Sequence, residues 1–247
     1  MGEISISAII CHYEQHDLLA QCLASLLTQS KWLETVIIVD DRSQNLPDVE
    51  INHSGVEVIV LKTKENHGGP AGPRNIGVAH CTSTHLVFVD ADDMLLPGSI
   101  ESLTKTWRSY PEVIAYGDHI EWGGSVAHPY WQKALAENPR DTVHERLLWG
   151  GNQLCLSGTG GPTKIFQKER FDPNQQWEDY DLWLRLAKDK TPFRHTGAIH
   201  ALHLRRKNSR SGSRSSRRNG CLGIENKHLI NIPWWHRPTW FWKQRWF

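Results

Sequence analysis

The chain alternates short runs of consecutive apolar residues with longer amphipathic stretches. Residues 4–10 are a β-rich run, after which Leu18, Leu19, Cys22, Leu23, Leu26 and Leu27 recur at helical spacing. Val36-Ile37-Ile38-Val39, residues 56–61 and Leu86-Val87-Phe88-Val89 are further apolar runs. Uninterrupted runs of this length predict strands buried on both faces. Between the last two, a Gly/Pro-rich loop over 66–73 leads into Arg74-Asn75-Ile76-Gly77-Val78-Ala79, which predicts the first turns of a helix. The order strand, helix, strand, strand, helix, strand predicts an α/β fold with a mostly parallel sheet flanked by helices. Further along, the pattern predicts a helix over 97–109 with Pro97 in its first turn, and a short strand at Val113-Ile114-Ala115-Tyr116. A loop-rich insertion over 117–139, a helix over 142–149, a turn over 158–162 and a strand over 163–166 follow. Residues 177–187 predict a strong helix on which Tyr180, Trp183, Leu184 and Ala187 share a face.

Two of the predicted strands run straight into acids: Asp40-Asp41 after the second, and Asp90-Ala91-Asp92-Asp93 after the fourth. Acids at the carboxyl ends of neighbouring strands converge on the crevice where open α/β sheets bind ligands. Carboxylates this close repel one another unless a cation, hydrogen bonds or protonation relieves them. Mg2+ or Mn2+ suits such oxygen ligands, especially when a substrate phosphate completes the coordination. The bland alternative is a solvated acidic turn before the next helix. A third acidic group, Glu178, Asp179 and Asp181, opens the helix over 177–187, where the dipole favours negative charge.

Composition narrows the setting. The net charge of +1 is unevenly spread: from residue 203 onward there are 11 Lys/Arg against the single acid Glu225, a local +10, leaving −9 on residues 1–202. A mildly acidic body over 1–202 therefore carries a basic, Trp-rich segment over 203–247. Five cysteines without C-x-x-C spacing argue against a disulfide framework and a zinc site. No apolar run reaches membrane-spanning length and the N-terminus lacks a secretory pattern, so the expected compartment is the cytoplasm.

The ordered motifs resemble those of family 2 glycosyltransferases with the GT-A fold, over roughly residues 4–212. Ile9-Ile10-Cys11-His12-Tyr13-Glu14 stands where the family has a run like I-P-T-Y-N, departing at Cys11 and Glu14. Val39-Asp40-Asp41-Arg42-Ser43 resembles V-D-D-G-S, and Asn66-His67-Gly68 through Pro73-Arg74-Asn75-Ile76-Gly77 resembles N-x-G…A-R-N-x-G. Phe88-Val89-Asp90-Ala91-Asp92-Asp93 matches the metal motif, and the run from Glu178 to Leu186 matches E-D-x-D-L-W-L-R-L. The resemblance implies a nucleotide-diphosphate-sugar donor, UDP-linked by analogy, and transfer to an acceptor hydroxyl with inversion at the anomeric carbon. It places Tyr13, Glu14, Asp40, Asp41 and Arg74 around the nucleotide and diphosphate, with Asp90, Ala91 and Asp92 at the ribose and at a Mn2+ or Mg2+ ion. Asp179 is the implied general base, with Glu178 and Asp181 as competitors. Glu178, Trp177, Arg206 and Ser209 are candidate diphosphate or acceptor contacts. A run like R-x-H-x-x-S-x-S ends the family pattern, and its metal-binding His falls on Arg206. His203 or His200 stands near enough to replace that ligand; otherwise the basic residues grip the diphosphate without one.

The last residues combine Trp with Lys and Arg, which suits a bilayer interface and a lipid-linked acceptor. The competing readings are aromatics packed on the body or on a second copy in a homodimer; nucleic-acid binding has no accompanying motif. Two rival functions remain: a sugar nucleotidyltransferase, which wants a Gly-rich basic loop after the first strand, and a non-catalytic sugar-nucleotide-binding or scaffold protein of the same fold.

Overall fold

The computed structural model describes residues 3–45, 52–53, 55–123, 126–132, 142–206 and 214–238, with the backbone alone described at 52–53, 126–132, 214 and 235. The apolar runs become the centre of one ten-stranded sheet. β1 (Ile6–His12), β2 (Thr35–Asp40), β4 (Val56–Lys62) and β5 (His85–Asp90) lie parallel in the order β4-β2-β1-β5. β3 (Asn52–His53) pairs antiparallel on the outer edge of β4. On the other side of β5 come β9 (Thr159–Pro162), β7 (Ile114–Gly123), β10 (Phe193–Leu204) and β6 (Met94–Leu95), with β7 and β10 parallel. The chain leaves β1 towards β2 and β4, then crosses through α2 (Ala71–His80) to β5 on the other flank. That reversal beside β1 is the place at which open α/β sheets form a ligand crevice at their carboxyl edge.

Alternation along the strands sorts the side chains into two cores. Ile9, Ile37, Val39, Leu86 and Phe88 face α2, α4 (Val143–Gly150), α5 (Thr163–Lys168) and α6 (Glu178–Lys188), in one cluster. Ala8, Ile10, Ile38, Val87 and Val89 face α1 (His16–Leu27) and α3 (Ser99–Ser109) in the other. Phe88 meets Phe166 and Phe171 edge-on, with ring centroids 5.0 and 5.1 Å apart. Such pairs contribute about 1 kcal/mol each beyond area burial.

Three expectations are corrected. The turn and strand expected over 158–162 and 163–166 are a strand, β9, followed by the helix α5. β9 exists because Gly160 lets the backbones approach: a Cβ there would sit 2.1 Å from the Leu86 carbonyl oxygen. The insertion expected to be loop-rich over 117–139 instead continues β7 to Gly123 and returns as β8 (Val126–Gln132), antiparallel to it. Residues 124–125 and 133–141 lie outside the described residues. Finally, the stretch over 204–219, whose Arg, Ser and Gly content reads from the sequence as a flexible or ligand-ordered segment, enters the helix α7 (Arg214–His228) at residue 214. Cys221 and Ile224 of α7, and Leu229 after it, are buried in the first core, and β10 itself runs to Leu204, so the segment beginning at residue 203 is continuous with the body. Ser209 and the aromatic run from 239 to 247 lie outside the described residues. Among the described residues no helix is long and apolar enough to cross a membrane.

Candidate active site

Register brings the acidic strand ends together. Cys11 pairs with Asp90 across β1 and β5, and His12 pairs with Asp40 across β1 and β2. Beyond β1 the chain turns at Glu14, whose φ of 53° is left-handed, leaving Tyr13 half exposed at the rim. The Glu14 N–H donates to Ser43 Oγ at 2.9 Å, and Glu14 Oε1 accepts from the Gln44 N–H at 2.6 Å, so the loops after β1 and β2 are stitched together.

The two acids after β2 build that rim from below. Asp40 has no exposed surface; its oxygens accept from the Ser43 N–H at 3.0 Å and the Ser43 hydroxyl at 2.5 Å. A contact from Asp40 to a nucleotide, expected from the sequence, has no open surface to use in this conformation. Asp41 accepts from the His67 N–H at 3.0 Å and faces His67 Nδ1 at 2.7 Å, fixing the Gly-rich loop that leads into α2.

Arg74, in the first turn of α2, is buried rather than a surface arginine. Its Nη2 donates to Asp90 Oδ1 at 2.7 Å, its Nη1 donates to Glu178 Oε1 at 2.6 Å, and its guanidinium lies over the Phe171 ring at 5.3 Å. Burial opposes the charge, but Asp90 and Glu178 outweigh it and hold the guanidinium ionised. One side chain thus joins the loop–helix motif, the D-x-D motif and the acidic motif of α6. Asn75 beside it clamps the same region, donating to the Phe171 carbonyl at 2.8 Å and accepting from the Phe171 N–H at 3.0 Å.

The three aspartates at the end of β5 and just beyond it diverge. Asp93 is buried and accepts from Ser157 Oγ at 2.6 Å, the Leu204 N–H at 3.0 Å and His203 Nδ1 at 3.1 Å, pinning the end of β10 to the motif. Ser157 also accepts from the Asp90 N–H at 3.0 Å. Burial works against a charged His203, yet Asp93, with Asp90 and Asp92 behind it, pushes its pKa up to about 9. Asp92, beyond the buried Ala91, forms an ion pair with Arg206. Burial and the neighbouring Asp93 and Asp90 push the Asp92 carboxyl up to about 6, against the pull of Arg206. His200 is not a ligand candidate: Nδ1 faces the Gly158 carbonyl at 2.6 Å, Nε2 faces Ser102 and Thr196 hydroxyls at 2.8 Å, and burial lowers its pKa to about 4.

At the start of α6, Asp179 is half buried and accepts from Asn152 Nδ2 at 3.0 Å. Burial and the adjacent Glu178 push its carboxyl up to about 6, while Arg74 and the hydrogen bonds from the Tyr180 N–H and Asn152 oppose the rise. Its competitors are occupied. Glu178 is held by Arg74, and Asp181 is fully buried among Arg185, Lys227 and His228. Burial raises Asp181, but the hydrogen bonds from His228, Lys227 and Arg185 win and bring it down to about 2. Trp177, the residue before α6, lies flat against Gly220 of α7, where an added Cβ would meet the indole at 2.4 Å. Asn152 and Ser157 carried no sequence signal: each is a lone polar residue in a loop.

A family model for glycosyl transferase family 2 matches residues 7–169, two thirds of the chain. The chain belongs to glycosyl transferase family 2. Among its relatives, the amylovoran biosynthesis glycosyltransferase AmsE of Erwinia amylovora is 26% identical over 187 residues, covering 74% of this chain and 68% of AmsE. The glycosyltransferase GlyA of Streptococcus pneumoniae is 26% identical over 186 residues, which are 70% of this chain but only 27% of GlyA. The crystal structure of S. aureus TarS 1-349 in complex with UDP-GlcNAc superposes with a TM-score of 0.68 at 18% identity, covering 90% of this chain and 67% of that one. The sheet described above is therefore the GT-A fold. Arg206, at the position where the sequence resemblance expects a metal-binding His, pairs with Asp92.

Proposed function

We propose that this chain is an inverting glycosyltransferase that moves a sugar from a nucleotide-diphosphate sugar, UDP-linked, to an acceptor hydroxyl, with Asp179 as the general base. The observation that carries this reading is the bridge Asp90–Arg74–Glu178: a single buried guanidinium fixes the donor motif of β5 against the helix start that bears Asp179. In the reaction, Asp179 takes the acceptor O–H proton as the oxygen lone pair forms the new bond at the anomeric carbon. The bond from that carbon to the diphosphate breaks, and its electron pair leaves with the nucleoside diphosphate. A carboxyl with a pKa near 6 is ionised at neutral pH yet basic enough to accept that proton. The UDP-GlcNAc held by TarS, and the rim of Tyr13, Glu14 and Asp41 over the crevice, support the choice of donor. The acceptor is a glycan or lipid-linked sugar met from the cytoplasmic side.

A divalent cation at Asp90 and Asp92, completed by His203, does not fit this arrangement. Asp90 is paired with Arg74 and Asp92 with Arg206, while His203 is on Asp93. Among the described residues, the group that brings ligand atoms within 4.8 Å of one another is Asp93, Cys155 and His203. Its carboxylate is already used by three donors, and burial with Asp93 and Asp90 raises the Cys155 thiol and keeps it protonated. That set suits neither Mg2+ nor Mn2+, which want free oxygen ligands.

Donor hydrolysis and sugar transfer, measured with a panel of nucleotide sugars for the chain and for Asp179→Asn, test the reading. Loss of at least about 100-fold in the variant, at unchanged nucleotide affinity, is the expected result. Equal activity would remove Asp179 from the role and favour a non-catalytic binding protein.

A further inference from the structure

Arg206 leaves the end of β10 at a position fixed from three sides. The Leu204 N–H is held by Asp93 at 3.0 Å, the Arg205 N–H donates to the Trp122 carbonyl at 2.7 Å, and the Arg205 guanidinium forks onto Glu121 with both contacts at 2.7 Å. From there the Arg206 side chain, one-third exposed, pairs with Asp92 through Nη2. Its Nε is buried and has no hydrogen-bond partner among the described residues. The guanidinium therefore meets the second acid of the D-x-D motif through Nη2, and its Nη1 has no hydrogen-bond partner among the described residues, which leaves donors for a ligand.

A guanidinium carries five N–H donors in a fixed plane and stays protonated at every working pH. It can hold a carboxylate with one pair of donors and a phosphate with the rest, in the bidentate geometry that planar oxyanions favour. A cation competing for the same place would have to break the Arg206–Asp92 pair and leave the guanidinium beside a second positive charge. His203, the nearest imidazole, is turned to Asp93 and held positive there.

We propose that Arg206 takes the place of the divalent cation: anchored on Asp92, it binds the donor's diphosphate with its remaining N–H groups, and donor binding and transfer by this chain run without a metal ion. The inference rests on the donor assignment above and specifies how the leaving group's charge is met. Arg206 is then a catalytic residue, since it touches the group that departs.

The test uses the full chain treated with EDTA and titrated calorimetrically with UDP, ADP and GDP, with and without added Mn2+. Arg206→Gln and Arg206→Lys are measured beside it, and thermal melts establish that each variant is folded. The expected result is nucleoside-diphosphate binding by the parent chain in EDTA, changed less than about 2-fold by Mn2+. Arg206→Gln should lose roughly 10- to 100-fold in that metal-free affinity, the scale of a charged hydrogen-bond pair, with Arg206→Lys between the two. Binding by the parent chain only in the presence of Mn2+, or undiminished binding by Arg206→Gln, would overturn the Arg206 assignment and leave the donor assignment standing. Failure of all three nucleotides to bind with or without Mn2+ would overturn both.

Discussion

Asn152 donates through Nδ2 to Asp179 Oδ2 across 3.0 Å, tying the loop after α4 to the carboxylate at the start of α6. The contact orients the carboxylate and favours its ionised form. Asn152→Ala removes both effects. The expected outcome is a fall in kcat of about 10-fold or more with little change in donor KM, because the proposed ground-state nucleotide contacts lie elsewhere. Steady-state kinetics with a saturating acceptor would show it; an unchanged kcat would mean that Asp179 needs no support from this loop.

The pH profile follows from the same carboxylate. In the proposed role Asp179 acts as the ionised base, and its pKa is raised to about 6, so activity should climb as pH rises through about 6 and level off above it. In Asn152→Ala the hydrogen bond that lowers this pKa is gone, and the acid limb should move to higher pH. A limb at the ordinary carboxylate range in both proteins would contradict the assignment.

The parts of the fold and site that were legible in the sequence share a physical cause. Strands buried on both faces are written as unbroken apolar runs, so Val36-Ile37-Ile38-Val39 and Leu86-Val87-Phe88-Val89 announced β2 and β5. The second half of β7 also carries buried residues, but they are Asp118, His119 and Glu121, of which Asp118 pairs with His195 of β10 and Glu121 with Arg205 after it; paired polar residues look like a loop in one dimension. β9 hid for the opposite reason, since Thr159-Gly160-Gly161-Pro162 was selected by lack of volume. At the site, Arg74, Asp90, Glu178 and Asp179 stood out by charge at strand ends and helix starts. Their supports, Asn152 and Ser157, act only through tertiary approach.

Arg74 is the single cation between two acids, Asp90 and the buried Glu178. Arg74→Met would leave both carboxylates without their partner, a change that costs about 3–5 kcal/mol when the pair is buried. The expected outcome is a drop in Tm of several degrees in a thermal melt, together with loss of donor binding. Arg74→Lys keeps the charge but cannot reach both acids in one plane, and should fall between. A melt of Arg74→Met superimposable on the parent would show that the bridge is not holding α2, β5 and α6 together.

Gly160 tests the packing that brings β9 beside β5. An added Cβ would stand 2.1 Å from the Leu86 carbonyl oxygen and 2.9 Å from the Val87 Cα, both backbone atoms that cannot swing aside. Gly160→Ala should therefore destabilise by about 1–3 kcal/mol or more, the scale of overpacking in a dense interior. Chemical denaturation with the slope held common to both proteins would measure it.

Asp181 makes the fold itself sensitive to acid. It is fully buried and hydrogen-bonded by Arg185, Lys227 and His228, which bring its pKa down to about 2 from an ordinary 3.8. A depressed acid contributes stability that is fully present above the unfolded value and is lost as pH falls towards the folded one. Asp181→Asn should therefore be less stable than the parent at neutral pH, and the gap should close as pH drops from about 4 to about 2. The contact lies between α6 and α7, so it also reports whether the C-terminal helix is docked on the body. Denaturation series of the two proteins at stepped pH decide the matter: a gap that stays constant across that window would mean that the Asp181 charge contributes nothing to holding α7 in place.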